Sequence, residues 1–324
     1  MRVVVAIHDL PVWTIPPAEV DRIASALPDD EVLDAREADA RRELMPTADV
    51  LFATRIRAHE FVPSRVRWIH SSAVGVGALL IPEVVESPVV VSCSRGVHSE
   101  AIAEHAIALA LALRRNLHLA VPRQAARIWA QDELSRRRVK TLSATHLLVV
   151  GLGTIGARVA AWGAAMGMQV TGIRKRVSET PPQGVTSVLP PERLRDALAD
   201  ADVVVLALPR TEETRALIGR AELGAMKPTA ILINVARGRL IDEPALIGAL
   251  QAGRLGGAGL DAFSHEPLPA DSPFWTLPNV LITPHTAAFA GDYWPPVVDL
   301  FLENMARFRR GQDLINVVDK RLGY

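Results

Sequence analysis

The sequence predicts an α/β protein with two successive series of βα units, each building a parallel sheet. Two observations predict it. Short runs rich in valine and isoleucine alternate with helix-like segments in both halves of the chain. A G-x-G-x-x-G loop stands between an apolar run and a helix-like segment in the second half. The length of 324 residues corresponds to about two domains.

The first series is defined by five short apolar runs bounded by Pro, Asp or Gly, which predict strands. These runs are residues 3–7, 31–35, 49–54, 66–72 and 89–93. Prolines at positions 16 and 17 suit the start of a helix over residues 17–27.

Residues 99–119 form the most apolar helix candidate, which Ser99 can cap and Pro122 would end. Because Ala, Leu and Ile lie on nearly all sides of this segment, we expect the helix to be buried between layers.

The second series begins after this helix and contains six more apolar runs, at residues 146–153, 168–173, 201–208, 229–236, 254–263 and 279–285. Helix-like segments lie between the runs. The amphipathic segment from Tyr293 to Arg310 predicts a C-terminal helix.

Charge and cysteine content exclude several classes of partner. Lys+Arg and Asp+Glu are 36 each, which argues against nucleic acid, because phosphate binding needs an excess of clustered cations. No run reaches the length of a transmembrane helix, so no membrane partner is expected. The one cysteine, Cys93, cannot form an internal disulfide, and the N-terminus lacks a signal peptide pattern. We therefore expect a reducing, cytoplasmic location.

The glycine loop predicts a dinucleotide-binding site. In GLGTIG (151–156), Gly151 permits a tight turn, Gly153 lets the backbone approach a pyrophosphate, and Gly156 lets helix and strand pack closely. The phosphates would then lie on N–H groups at the helix N-terminus, where Thr154 and Ile155 stand. A purely structural glycine turn is the alternative.

The end of the next predicted strand bears on the choice of cofactor. An NAD-preferring site has Asp or Glu there to bind the ribose 2′-hydroxyl, whereas this chain has Arg174, Lys175 and Arg176. Guanidinium groups suit phosphate, so the sequence favours NADP. A solvated basic loop in an enzyme that also accepts NAD is the alternative.

Three charged or titratable residues follow predicted strands of the second series, at the edge where α/β sheets bind ligands. They are Arg237, Glu266 and His285. Reduction of a 2-keto acid needs these three groups. A cation holds the carboxylate and polarises the carbonyl, an imidazolium donates a proton, and a carboxylate orients the imidazole.

The chain resembles the D-isomer-specific 2-hydroxyacid dehydrogenase family, in particular glyoxylate and hydroxypyruvate reductases, over nearly its whole length. The resemblance rests on GLGTIG (151–156), ALPRTEETRALIG (207–219), INVARGRLIDEPAL (233–246), GLDAFSHEPLP (259–269), LPNVLITPHTA (277–287) and the helical segment 98–116. It implies two Rossmann-like, doubly wound parallel-sheet domains, the first discontinuous. The substrate domain would comprise residues 1–97 and 288–324, and the dinucleotide-binding domain residues 98–287.

The resemblance also implies roles for individual residues. Arg237 would bind substrate, Glu266 would support the histidine, and His285 would be the acid/base group. Further cofactor contacts would come from Leu208, Pro209, Val235, Ala236 and Asp261. The implied assembly is a homodimer, and no metal is expected.

The sequence departs from the family in the first domain. The family often has a Gly-Val-Asp turn whose backbone N–H groups bind the substrate carboxylate, but here Gly77 stands where Asp is usual. Donation from Val74 and Gly75 needs no side chain and should survive. The absence of a large charged group nearby fits a substrate with a small or neutral tail.

The leading hypothesis is an NADP-preferring reductase of a small 2-keto acid such as glyoxylate or hydroxypyruvate. Phosphoglycerate, formate or phosphite oxidation on the same scaffold is an alternative. A dinucleotide-sensing interaction protein is another, although the intact Arg237, Glu266 and His285 set argues against it.

Overall fold

The computed structural model describes residues 1–7, 13–137, 140–176, 180–291 and 293–324. Contacts between Cα atoms divide the chain into two units. Unit 1 comprises Met1–His98 and Ala290–Tyr324, and unit 2 comprises Ser99–Phe289. The chain therefore has two α/β units, of which the first is discontinuous.

In unit 1, the described residues form a five-stranded, wholly parallel sheet in the order β2-β1-β3-β4-β5. The strands are β1 (Arg2–Ala6), β2 (Glu31–Asp34), β3 (Val50–Ala53), β4 (Trp68–Ser71) and β5 (Val90–Cys93). The helices between them are α1 (Pro17–Ala26), α2 (Ala38–Leu44) and α3 (Pro82–Glu86). This strand order is one of the two common doubly wound arrangements.

In unit 2, the described residues form a seven-stranded parallel sheet in the order β12-β11-β10-β9-β6-β7-β8. The strands are β6 (His146–Val150), β7 (Gln169–Ile173), β8 (Ser187–Leu189), β9 (Val203–Leu206), β10 (Ile231–Asn234), β11 (Gly257–Leu260) and β12 (Val280–Ile282). The helices are α4 (Ser99–Arg114), α5 (Leu117–Ala125), α6 (Gln131–Ser135), α7 (Thr154–Ala165), α8 (Leu194–Asp200), α9 (Arg220–Ala225) and α10 (Glu243–Gln251). Counted outward from β6 in both directions, the strands of this sheet follow the order of the Rossmann fold.

Both faces of each sheet are buried, which explains why the strands read as continuous apolar runs rather than alternating ones. In β6, Leu147 and Val149 belong to the core under α4 and α7, while Leu148 and Val150 belong to the core under α8 to α10. All four side chains are at most 1% exposed.

Helix α11 (Trp294–Arg309) completes unit 1 from the far end of the sequence. The Phe301 ring stacks on Phe52 of β3 at a centroid distance of 4.3 Å and lies 5.4 Å from Trp68 of β4. The following segment binds the last strand, since Cys93 N–H donates to the Asn316 carbonyl. The predicted C-terminal helix is present, with ends that differ by one residue from Tyr293 and Arg310.

Two predictions of local structure were wrong. The segment 99–119 is not one helix, because α4 ends at Arg114 and Asn116 adopts a left-handed conformation (φ 58°) before α5 begins. Asparagine tolerates this conformation better than most residues. Pro122 does not end the helical region either, since α5 continues to Ala125 with Pro122 inside it. Strand β8 was not predicted, because three half-buried residues at a sheet edge give almost no hydrophobic pattern in the sequence.

No helix in the described ranges is both long and apolar enough to cross a membrane.

A chain of buried hydrogen bonds crosses the sheet of unit 1 beneath the turn that follows β4. Trp68 Nε1–H donates to Ser92 Oγ at 2.9 Å, and Ser92 Oγ lies 2.7 Å from His70 Nδ1. The Nε2 atom of His70 faces Ser94 Oγ at 3.4 Å, and Ser94 donates to the Ser71 carbonyl. Burial lowers the pKa of His70 to about 3, so the imidazole is held neutral.

The neutral His70 makes unit 1 sensitive to acid. Below pH 6.5, His70 binds a proton in the unfolded chain, whereas the buried His70 of the folded chain does not. The unfolding free energy therefore falls as the pH drops from 6.5 towards 3. Between about pH 7.5 and pH 5, wild type should lose about 2 kcal/mol more unfolding free energy than His70→Asn, as measured by urea unfolding. His59→Asn is the matched control, since His59 is exposed in the same unit. Equal losses for wild type and His70→Asn would contradict the assignment.

Candidate active site

The glycine loop after β6 lies at the point where the strand order of unit 2 reverses, next to the loop after β9. Gly151 has φ 99°, and a Cβ atom there would lie 2.6 Å from the Ala207 carbonyl oxygen. Only glycine fits this conformation and this approach. Dinucleotides bind at such switch points in open α/β sheets.

The start of α7 has the geometry of a phosphate-binding helix terminus. A Cβ at Gly156 would stand 1.8 Å from the Gly151 carbonyl oxygen, so loop and helix are in direct backbone contact. At Gly153, by contrast, a Cβ would meet no atom within 4 Å. The first bond into the helix is donated by Ala157 N–H to Gly153. The N–H groups of residues 154–156 therefore have no partner within the helix, and the loop residues fit a pyrophosphate.

The cationic cluster follows β7 directly. Arg174, Lys175 and Arg176 are all exposed, and Arg174 N–H donates to the Leu189 carbonyl. Lys175 Nζ pairs with Glu213 Oε2 at 2.7 Å. No carboxylate among the described residues lies within ion-pair distance of Arg174 or Arg176. These two guanidinium groups are therefore the better phosphate ligands of the three.

The other expected cofactor contacts follow β9 and β10. Leu208 is half-buried and Pro209 exposed after β9, whereas Val235 and Ala236 are buried after β10. The latter turn is fixed by Asn234, which is fully buried. Its Oδ1 accepts from Ala236 N–H at 3.1 Å, and its Nδ2 donates to the Arg237 carbonyl at 3.0 Å.

The Arg237 side chain extends from this turn and is half-buried. One guanidinium N–H donates to the Ala236 carbonyl at 2.6 Å, and the others make no hydrogen bond to a described residue. Burial lowers the pKa of Arg237 and the charge of Arg210 adds to this, while Glu266 and Asp261 oppose it. An arginine remains charged under these conditions, so Arg237 offers several donors to an anion.

Glu266 and His285 form a hydrogen-bonded pair. Glu266 Oε2 lies 2.7 Å from His285 Nδ1, and Glu266 Oε1 accepts from Phe263 N–H at 2.8 Å. Burial alone would raise the pKa of Glu266, but the hydrogen bonds from His285 and Phe263, with the charge of Arg237, lower it overall. Glu266 is therefore ionised near neutral pH, and Nδ1 of His285 carries the proton that joins them.

The backbone of His285 is held in a conformation that a histidine rarely adopts. Its φ is 56°. Asp261, which is 2% exposed, holds the turn: Oδ1 accepts from Thr286 N–H at 2.8 Å and Oδ2 from Ala287 N–H at 3.1 Å. The Thr283 hydroxyl also donates to Oδ1, at 2.7 Å. Asp261 was expected near the nicotinamide, and in this structure its carboxylate organises the turn of the histidine.

His105 of α4 supports the same turn from below. Its Nε2 lies 2.9 Å from Thr283 Oγ1. Since the Thr283 proton is given to Asp261, Nε2 of His105 must be the donor. His105, Asn234 and Thr283 were not predicted from the sequence as residues of the site. An Asn at the last position of β10 and a Thr two residues before His285 were the available signals.

Val74 and Gly75 belong to unit 1. They lie in the turn after β4 and are half-buried, while Gly77 is exposed. Ala73 N–H donates to Ser71 Oγ at 3.2 Å, and Ser94 N–H donates to the Ala73 carbonyl at 3.3 Å. The turn is thus tied to the buried hydrogen-bond chain through Ser71 and Ser94.

Across the described ranges, no group of three or more His, Cys, Asp or Glu side chains could hold a metal ion.

Comparisons with known proteins give a consistent result. Residues 107–287 match the model of the D-isomer specific 2-hydroxyacid dehydrogenase NAD-binding domain. A glyoxylate reductase from Korarchaeum cryptofilum is 34% identical over 80% of this chain and 77% of its own length. A D-3-phosphoglycerate dehydrogenase from Methanocaldococcus jannaschii is 34% identical over 79% of this chain, and the match covers 48% of that protein.

Two solved structures are similar over the whole chain. A D-isomer specific 2-hydroxyacid dehydrogenase from Xanthobacter autotrophicus, in complex with NADPH and MES, has a TM-score of 0.85 and 29% identity. An NADPH-dependent glyoxylate/hydroxypyruvate reductase from Sinorhizobium meliloti, in complex with NADP and sulfate, has a TM-score of 0.83 and 25% identity. Each comparison covers 100% of this chain and 99% of the other.

The role of Asp261 as the clamp of the His285 turn can be tested by Asp261→Asn. The amide cannot accept both backbone bonds and the threonine bond without placing its NH₂ against a donor. We expect a loss of about 1–3 kcal/mol in the unfolding free energy of unit 2, as measured by urea unfolding. Asp271→Asn, exposed in the same unit, is the control. Indistinguishable stabilities of the two variants would show that the clamp is unimportant.

Proposed function

Because the chain belongs to the D-isomer specific 2-hydroxyacid dehydrogenase family, an enzyme family that uses NAD(P), we propose that it reduces a small 2-keto acid to the D-2-hydroxy acid. The substrate is of the glyoxylate or hydroxypyruvate type, and NADP is preferred. The observation that carries the proposal is the Glu266–His285 pair at 2.7 Å, with the charge of Arg237 close enough to lower the pKa of Glu266.

Arg237 holds the substrate. Its uncommitted guanidinium N–H groups bind the carboxylate and polarise the carbonyl oxygen of the keto acid. The partial burial of Arg237 strengthens these bonds, because water competes less for the guanidinium. The hydrogen bonds of Asn234 to residues 236 and 237 keep the base of this side chain in place.

His285 supplies the proton. Its Nδ1–H is directed at the ionised Glu266, so Nε2 on the other side of the ring transfers a proton to the carbonyl oxygen. In the oxidative direction, Nε2 takes the proton from the hydroxyl group. Glu266 fixes the ring orientation and stabilises the imidazolium form from which the proton is given.

The dinucleotide-binding role is assigned to unit 2. Residues 151–156 would hold the pyrophosphate, and Leu208, Pro209, Val235 and Ala236 would line the remaining path. When bound, the nicotinamide supplies the hydride that adds to C2 of the keto acid. We propose that the dinucleotide-binding domain comprises residues 98–287 and the substrate domain residues 1–97 and 288–324.

The preference for NADP is supported by Arg174 and Arg176, which have no carboxylate partner among the described residues. A ribose 2′-phosphate would be bound by these guanidinium groups, whereas a 2′-hydroxyl would leave them in water. Lys175 contributes less, because Glu213 already neutralises it. The similar Sinorhizobium protein is described as NADPH-dependent.

Val74 and Gly75 are the proposed backbone donors of unit 1 to the substrate carboxylate. Their role requires only N–H groups, and the turn is anchored through Ser71 and Ser94. With Gly77 in place of an acidic residue, no charged side chain is added at this point. A substrate with a small, neutral tail fits best.

We expect a homodimer in a reducing, cytoplasmic environment. Four apolar side chains that lie in or just after α5 are at least half exposed, which suits a protein interface: Leu117, Val121, Ile128 and Trp129. The one cysteine, Cys93, is 3% exposed, and burial raises the pKa of its thiol. Light scattering on the purified protein would decide the assembly, and a monomer would contradict this expectation.

The catalytic assignment predicts that His285→Ala loses about 10² to 10⁴ in kcat, because proton transfer contributes on this scale. Glyoxylate and hydroxypyruvate, with NADPH oxidation followed by absorbance, are the substrates to use. His59→Ala, at an exposed position, is the control. Near-normal turnover of His285→Ala would refute the role of His285. Tight cofactor binding without turnover of any 2-keto acid would favour a dinucleotide-sensing protein, and turnover of phosphoglycerate, formate or phosphite would indicate another reaction of the scaffold.

The cofactor assignment predicts a higher kcat/KM with NADPH than with NADH. In the double variant Arg174→Gln, Arg176→Gln, the KM for NADPH should rise at least about tenfold, because charge-assisted hydrogen bonds are lost. The KM for NADH should change little. Arg220→Gln, on the surface of the same unit, is the control. Equal efficiency of the wild type with both cofactors would contradict the assignment.

A further inference from the structure

Unit 2 has an open surface cavity of about 310 Å³ that the proposed reaction does not use, and most of its lining residues are exposed. Its wall is formed by the segments that follow β9, β10 and β11, and the lining residues are Arg215, Ala216, Arg239, Ile241, Ser264 and His265. Two guanidinium groups, an imidazole and a hydroxyl thus share one cavity with two small apolar surfaces. None of the lining residues is acidic.

Backbone pairing between two loops brings the two arginines together. Ala216 N–H donates to the Arg239 carbonyl at 2.9 Å, and Ile218 N–H donates to the Leu240 carbonyl at 3.0 Å. Ala216 adopts φ 49° to make the first bond. A non-glycine residue in this conformation is strained, so the pairing of these segments is specific.

No described residue neutralises either of the two arginines. Neither Arg215 nor Arg239 has an ion pair or side-chain hydrogen bond with a residue in the described ranges. Glu243, at the start of α10, accepts from Ser264 N–H at 2.6 Å through Oε1 and forms no ion pair with either arginine. Two guanidinium groups therefore line the same space without an ion-pair partner in the part of the chain that the structure describes.

We propose that this cavity binds a phosphate monoester. Paired guanidinium groups bind the oxygens of a phosphate dianion in a bidentate manner. The Ser264 hydroxyl and the His265 imidazole add further polar contacts. Ile241 and Ala216 give the organic part of the ester an apolar wall, and the volume exceeds that of inorganic phosphate alone.

The cavity is not lined by any of the groups assigned to the cofactor phosphates, residues 151–156 and 174–176. It adjoins the catalytic segments instead, because Arg239 lies two positions after Arg237 and His265 precedes Glu266. A Cβ at Gly238 would lie 1.8 Å from the Phe263 carbonyl carbon, so the two segments touch through their backbones. A ligand in this cavity contacts the segment that carries Arg237 and the segment that carries Glu266.

The test is titration calorimetry of the intact protein with glycerol phosphate and with inorganic phosphate, in the presence of saturating NADPH. We expect glycerol phosphate to bind, and Arg215→Gln or Arg239→Gln to weaken it at least about tenfold. Arg254→Gln, exposed elsewhere in unit 2, should bind as wild type does. Calorimetry does not require turnover, so the result is independent of the proposed reaction.

Each other outcome overturns the proposal. Loss of glycerol phosphate binding when NADPH is added would place the anion in the footprint of the cofactor. Equal weakening by Arg254→Gln would indicate general attraction to a cationic surface. Binding of inorganic phosphate that is as tight as that of the ester would exclude the role of the apolar wall.

Discussion

The geometry of the proposed catalytic site depends on one buried carboxylate, that of Asp261. A histidine at positive φ is strained by about 1–3 kcal/mol, whereas a hydrogen bond to a charged group contributes about 1.5–3 kcal/mol. Asp261 accepts three such bonds from residues 283, 286 and 287, which outweighs the strain at His285. The hydrogen bonds to Asp261 therefore stabilise the strained backbone of His285, which places its ring within hydrogen-bond distance of Glu266.

Backbone contacts also fix the position of Arg237. Asn234 binds the turn on both sides, and only glycine at position 238 lets this loop approach Phe263. Glu266 and Asp261 raise the pKa of Arg237 and so offset part of the cost of burying its guanidinium, although burial and Arg210 lower that pKa overall. The site thus combines one cation for an anionic substrate with carboxylates that serve the histidine and its turn.

Much of this arrangement could be predicted from the sequence. The Val- and Ile-rich runs predicted the parallel sheets, because strands buried on both faces have no polar alternation, and the family motifs singled out Arg237, Glu266 and His285. Long-range polar contacts could not be predicted. That His105 reaches Thr283, 178 positions away, depends on α4 packing beneath β10 and β11. The break at Asn116 was missed because its apolar neighbours continue the helical pattern.

The return of α11 to unit 1 affects the order in which the protein folds during synthesis. Unit 2 is continuous in sequence, so its sheet can be completed once β12 has left the ribosome. After the five strands of unit 1 have been synthesised, some 200 further residues must follow before Phe301 is available to its hydrophobic core. During that time Phe52 and Trp68 lack their stacking partner. The unit that begins the chain is thus the last to be completed, so its early strands are the stage at which chaperone protection is most needed.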